Sequence, residues 1–255
     1  MLGMALKTVK WLVILLSLFI VAFLAVRIYN SQRGLPLEVW HTYSPRELSD
    51  REIDAANWPT YLAAEEKIFD SLRANVSQQL TPEERVPFNR YFEGSPIYPG
   101  RFSHDWNRSY LLEPAGTPVG AVVLLHGLTD SPYSLRHIAS RYRDRGFVAV
   151  AIRLPAHGTT PAALADVEWS TWLAATRLAV REARQRAPAP APLHIVGFSN
   201  GGTLTLKYAL DAIADKSLAP ADRLILISPM VGITRFARFA GLAGLPAMLP
   251  AFAKA

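Results

Sequence analysis

The residues Gly197-Phe198-Ser199-Asn200-Gly201-Gly202 carry the most specific chemistry in this chain. Residues 193–196 read as a short buried strand and 203–213 as a helix, so G-x-S-x-G falls on a sharp strand-to-helix turn. Such a turn lifts a serine hydroxyl clear of a sheet, and Gly197 and Gly201 leave room that a Cβ would fill. A serine there becomes a nucleophile only when a base takes its proton and an acid orients the base. Two further motifs precede it in order. His126-Gly127-Leu128 follows an apolar run, where a loop can aim a backbone N–H at a developing oxyanion. Arg153-Leu154-Pro155-Ala156-His157-Gly158 follows the next such run. The N–H of Asn200 supplies a second oxyanion donor, and donors of this type are worth ~3–4 kcal/mol of barrier each.

The elements that must hold these residues are short apolar strands alternating with helices. Strands are expected at 110–112, 120–125, 147–152, 193–196 and 223–228, and helices at 134–145, 169–186 and 203–213. Continuous apolar strands separated by helices predict a mostly parallel sheet covered on both faces. The stretch 30–100 lacks such runs. It predicts one amphipathic helix over 58–80 and a helix start at Thr81-Pro82-Glu83-Glu84, with Thr81 as cap and Glu84 closing a capping box. His41 and His104 read as surface or packing residues, and the segment reads as a spacer rather than a lid.

With His126-Gly127, Leu154 to Gly158 and Gly197 to Gly202 each at a strand end, the chain resembles the α/β-hydrolase superfamily. The nearest likeness is to its monoglyceride-lipase-like and serine aminopeptidase-like branch, over about residues 105–235. The resemblance implies an α/β-hydrolase fold with Ser199 as nucleophile and the Leu128 and Asn200 N–H groups as oxyanion donors. His126, Gly127, Gly197 and Gly201 support them. It further implies hydrolysis of carboxylic esters, lipid-like ones included, through an acyl-serine. Acyl transfer by the same intermediate, and a non-catalytic scaffold derived from a hydrolase, are the alternatives.

In such enzymes the acid and the histidine follow the serine in chain order. Yet no His, Asp or Glu occurs after Asp222. Asp211 and Asp215 belong to the end of the helix after Ser199, and Asp222 leads into the last strand at its far end. His126 and His157 are expected to hold loops, His194 to pack within a strand and His137 to be exposed. The sequence therefore reads as a hydrolase with its last strands missing, in which a triad acid and base are not supplied and activity is weak or absent.

The net charge of +6 does not indicate nucleic-acid binding, because residues 1–33 and 223–255 each carry four basic residues and no acid while the middle is slightly acidic. From Val9 to Val26 the chain is apolar but for Lys10 and Ser17, long enough to cross a ~30 Å hydrocarbon core. An uncleaved single-pass anchor over 1–29 is expected, with a signal peptide as the rival. Lys7 and Lys10 on the short side favour a cytoplasmic N-terminus and an exported body. The expected organisation is thus anchor 1–29, spacer 30–104 and hydrolase domain 105–255. No cysteine, metal-ligand cluster, phosphate loop or dinucleotide fingerprint occurs in the sequence, so no cofactor is expected.

Overall fold

The computed structural model describes residues 2–32 and 37–232. Residues 233–255 of the expected hydrolase domain lie outside the described residues. Two units are distinct: one contains residues 1–36, the other is Leu37–Val231. In the first, helix α1 (Leu2–Gln32) contains the stretch Lys7–Asn30, the one helix among the described residues long and apolar enough to cross a membrane. Over Lys7–Asn30 its side chains are exposed almost throughout.

The second unit is built on five strands: β1 (Tyr110–Leu112), β2 (Gly120–Leu125), β3 (Phe147–Ile152), β4 (Leu193–Phe198) and β5 (Arg223–Ile227). Their order is β1-β3-β2-β4-β5, with β1 antiparallel to β3 and all other pairs parallel. Successive strand residues face opposite sides of a sheet, and that alternation divides the apolar strands between two cores. Ala121, Val123, Leu125, Val150, Ile152 and Ile195 pack with α6 (Trp169–Arg186) and α7 (Asn200–Ala214) on one side. Val122, Leu124, Ala149, Ala151 and Val196 pack with α5 (Arg136–Arg143) on the other. The α/β-hydrolase architecture with helices on both faces is therefore present, at the strand positions expected from sequence.

The segment read as a spacer behaves differently. Helices α2 (Val39–Thr42), α3 (Asp50–Ala55) and α4 (Trp58–Asn75) belong to the sheet's own compact unit. Ile53, Trp58 and Tyr61 enter the main core, while Phe69, Leu72, Val76, Leu80 and Tyr91 make a satellite core. The helix expected over 58–80 ends at Asn75, because Val76 leaves helical geometry and buries its side chain. Asn57 caps α4 by accepting the Thr60 N–H at 2.9 Å. The capping box at Thr81 and Glu84 forms, but on a single 3-10 turn, Pro82–Glu84. Likewise the helix expected over 134–145 is a 3-10 turn, Pro132–Leu135, followed by α5.

Candidate active site

After β2 the chain crosses to β3 on one side of it and then to β4 on the other, so the carboxyl ends of β2 and β4 flank a topological switch point. Ligands of open α/β sheets bind in the crevice outside such ends. There the backbone is strained. Thr129 beyond β2, Ala156 beyond β3, Ser199 after β4 and Ser228 after β5 have φ of 60°, 71°, 51° and 45°. A non-glycine residue in such a conformation costs of order 1–3 kcal/mol and persists only where its surroundings hold it.

At Ser199 those surroundings are explicit. Its N–H donates to the Ile227 carbonyl at 2.9 Å, and its carbonyl accepts from Gly202 and Met230 N–H at 3.0 and 3.1 Å. A Cβ on Gly197 would overlap the Gly201 carbonyl, and one on Gly201 would overlap the Leu125 carbonyl. The turn is therefore closed by backbone against backbone. A Cβ on Gly127 would lie 3.4 Å from the Ser199 Cβ, so the loop after β2 runs directly against the serine. Asn200 is the first residue of α7, where an N–H has no helical acceptor. Its side chain is buried, and its Nδ2 has no partner among the described residues.

Four histidines bear on the question of a base, and one of them, His157, keeps a buried Nε2 with no partner among the described residues. His126, fully buried, accepts the Leu154 N–H at Nε2 (3.0 Å), which places its proton on Nδ1, 2.9 Å from the Gly127 carbonyl. Both nitrogens are thus spent tying the loop after β2 to the loop after β3. Burial, then the neighbouring His157 and Arg153, hold its pKa well below the ordinary histidine value. His157 donates from Nδ1 to the Pro155 carbonyl at 3.0 Å, and burial lowers its pKa as well. His194 pairs with the Tyr142 hydroxyl at 3.2 Å, near the start of β4 and ~16 Å of strand from Ser199. His137 is exposed on α5. Asp211 pairs with Lys207, and Asp222 accepts the Leu193 N–H at 2.7 Å, at the opposite end of the sheet from the serine.

Because burial lowers the pKa of His126 and of His157 in the folded protein, the unfolded state binds more protons as pH falls through the ordinary histidine range, and stability falls with it. For His126, whose shift is the larger, the expected loss between pH 7 and 5.5 is about 1 kcal/mol. Glu65, whose carboxyl burial pushes up against the pull of Arg153 and Ser109, opposes that slope. The histidine contribution is therefore isolated by urea unfolding of the wild type and His126→Asn at both pH values. The variant is expected to lose about 1 kcal/mol less on acidification; equal losses would contradict a neutral buried His126.

One group was not anticipated from sequence. Arg153, only 1% exposed, forms a bidentate pair with Glu47 at 2.8 and 2.9 Å and donates from Nε to Glu65 at 2.9 Å. Glu47 also accepts the Ala156 N–H at 2.8 Å, holding that strained residue, and Arg153 donates to the His157 carbonyl at 3.1 Å. Tyr61 donates to the Arg153 carbonyl at 2.7 Å. The segment 37–104 is thereby clamped to the loop after β3. An arginine directly after an all-apolar strand was the available signal, and its partners lie 106 and 88 residues away.

A mostly parallel sheet with an antiparallel first strand, helices on both faces and a strained serine between β4 and α7 defines the α/β-hydrolase class. Within that class the chain belongs to the family described as Serine aminopeptidase, S33, which matches residues 116–253, more than half of its length. A thermostable monoacylglycerol lipase from Bacillus sp. (strain H-257) is 35% identical over 92 residues, covering 36% of this chain and 35% of that protein. The chain thus spans about a third of the curated relative it matches. Among solved structures, a study of the metagenome-derived lipolytic enzymes LipS and LipT gives 27% identity and a TM-score of 0.42, covering 49% of this chain and 46% of that one. A monoacylglycerol lipase from Paleococcus ferrophilus gives 20% and 0.40, covering 53% and 50%.

Proposed function

We propose that this chain is a membrane-tethered serine hydrolase of carboxylic esters. The Ser199 Oγ attacks the acyl carbonyl, and its proton passes to a base. The Leu128 and Asn200 N–H groups hold the tetrahedral oxyanion. The alkoxide leaves with a proton, and water then releases the acid from Ser199. The observation that carries this reading is the positive φ of Ser199, held between the end of β5 and the Gly127 loop at the switch point. Among the described residues neither the Leu128 nor the Asn200 N–H has a hydrogen-bond partner, as donors reserved for a ligand would not. Likeness to a monoacylglycerol lipase supports an ester of lipid type as substrate. Helix α1 supplies the tether, with Lys7 and Lys10 on the cytoplasmic side and the hydrolase unit outside.

No histidine among the described residues has a nitrogen committed to Ser199, and residues 233–255 contain no His, Asp or Glu. A non-catalytic scaffold is the reading this favours if the serine does not react. Phenylboronic acid distinguishes the two, since its boron becomes tetrahedral on a serine oxygen and mimics the transition state without needing turnover. A tetrahedral ¹¹B signal is expected with the wild type and its loss with Ser199→Ala. A wild type that leaves the boron trigonal would contradict the nucleophile reading.

A further inference from the structure

A cavity of about 640 Å³ lies between the segment before the sheet and the loops after β2 and β3. That volume is in the range of small-molecule sites. Its walls come from 38–41 and 83–91 on one side and from 156–164 on the other, and it meets the oxyanion loop at Thr129. Trp40 stacks on Tyr91 at 5.7 Å between centroids, and the Tyr91 hydroxyl donates to the Thr159 carbonyl at 3.0 Å. Arg90 donates to the Gly158 carbonyl at 3.2 Å. The wall is thus fastened to the loop it faces. Trp40, Val86, Phe88, Tyr91, Pro161 and Leu164 make the lining predominantly apolar.

We propose that this cavity receives the hydrocarbon chain of the acyl group whose carbonyl meets Ser199, so that residues 37–104 form a cap that selects the substrate. The inference rests on the ester-hydrolase reading above. Continuity with Thr129, one residue beyond the Leu128 N–H, puts the cavity beside the place where an acyl carbonyl would be held. Charge narrows the ligand further. Glu38, Glu83 and Glu84 line the cavity against one arginine, Arg90, with His41, Tyr91 and His157 as the other titratable groups. An uncharged ester chain is accepted there, and the anion of a free fatty acid is repelled. Phe88 is 81% exposed although it lines the cavity, as a side chain awaiting an apolar ligand would be.

The test uses the full chain in detergent micelles and a non-hydrolysable 1-O-alkylglycerol with a diazirine at the chain end. Illumination is expected to place the label within 38–41, 83–91 or 156–164. Leu164→Trp, which fills the cavity, and Phe88→Asp, which changes an exposed residue and leaves folding intact, should each reduce labelling about tenfold. The fatty carboxylate of equal length should label several-fold less than the ether. Labelling in Ser199→Ala should match the wild type, so the cavity is tested whether or not the serine reacts. A label confined to other segments, or labelling indifferent to both substitutions, would overturn the proposal.

Discussion

Replacing Arg153 with methionine is expected to cost about 3–5 kcal/mol of stability, the range found when one partner of a buried ion pair is removed. The size follows from what is left behind. Glu65 is 3% exposed and Glu47 13% exposed at the side chain, so two carboxylates lose their cation with little water to replace it. Burial works against the Arg153 charge, yet Glu47 and Glu65 more than offset it and raise its pKa. For a unit of this size the loss corresponds to roughly 6–20 °C in melting temperature. Arg153→Lys should fall short of full rescue, because an ammonium cannot reproduce the two-nitrogen fork on Glu47. The triple variant Arg153→Met, Glu47→Gln, Glu65→Gln should recover part of the loss, since no uncompensated charge then stays buried. A cost below about 1 kcal/mol in thermal unfolding would contradict the clamp.

The consequence reaches beyond stability. The arginine network holds Ala156 in its strained conformation and joins the segment 37–104 to the wall of the apolar cavity. Loosening it should therefore raise protease sensitivity first in 37–104, before the sheet itself is cut.

The sheet was legible because its signals are local. Runs such as 120–125 and 147–152 are wholly apolar and six residues long, and both are strands over those residues. Helix α6 begins and ends where its pattern does, at Trp169 and Arg186. Ser199 could be placed because the glycines around it are demanded by backbone contacts that only glycine permits. The segment before the sheet was not legible as part of the fold. It contributes Ile53, Trp58 and Tyr61 to the main core, too sparse a set to show as an apolar run. Nor could spacing reveal the Arg153 cluster, whose members are distant in sequence and meet only when the segment folds back. The strain at Thr129 and Ala156 was equally hidden, since neither is a residue type that announces a positive φ.

The second large effect concerns turnover. Among the described residues both nitrogens of His126 are engaged, His157 binds Pro155 through Nδ1 while its buried Nε2 has no partner, and His194 lies at the far end of β4, so no histidine there is hydrogen-bonded to Ser199. Oxyanion donors and binding alone leave ~10³–10⁴-fold acceleration over water, orders of magnitude below a complete triad. In that regime removing the serine as well changes little, because triad members act as a unit. Hydrolysis of a nitrophenyl butyrate by this chain is therefore expected at least ~10³-fold below that of a relative with a full triad.

Added imidazole tests the proposal that Ser199 is a placed nucleophile with no base hydrogen-bonded to it among the described residues. The measurement is the rate of nitrophenyl butyrate hydrolysis by the wild type and by Ser199→Ala, each with and without imidazole. The two proteins should be similarly slow alone. Imidazole should accelerate the wild type beyond its own background reaction while leaving Ser199→Ala at that background. Fast Ser199-dependent turnover without imidazole would contradict the account by revealing a base within reach. An identical imidazole response in both proteins would contradict it by removing the nucleophile.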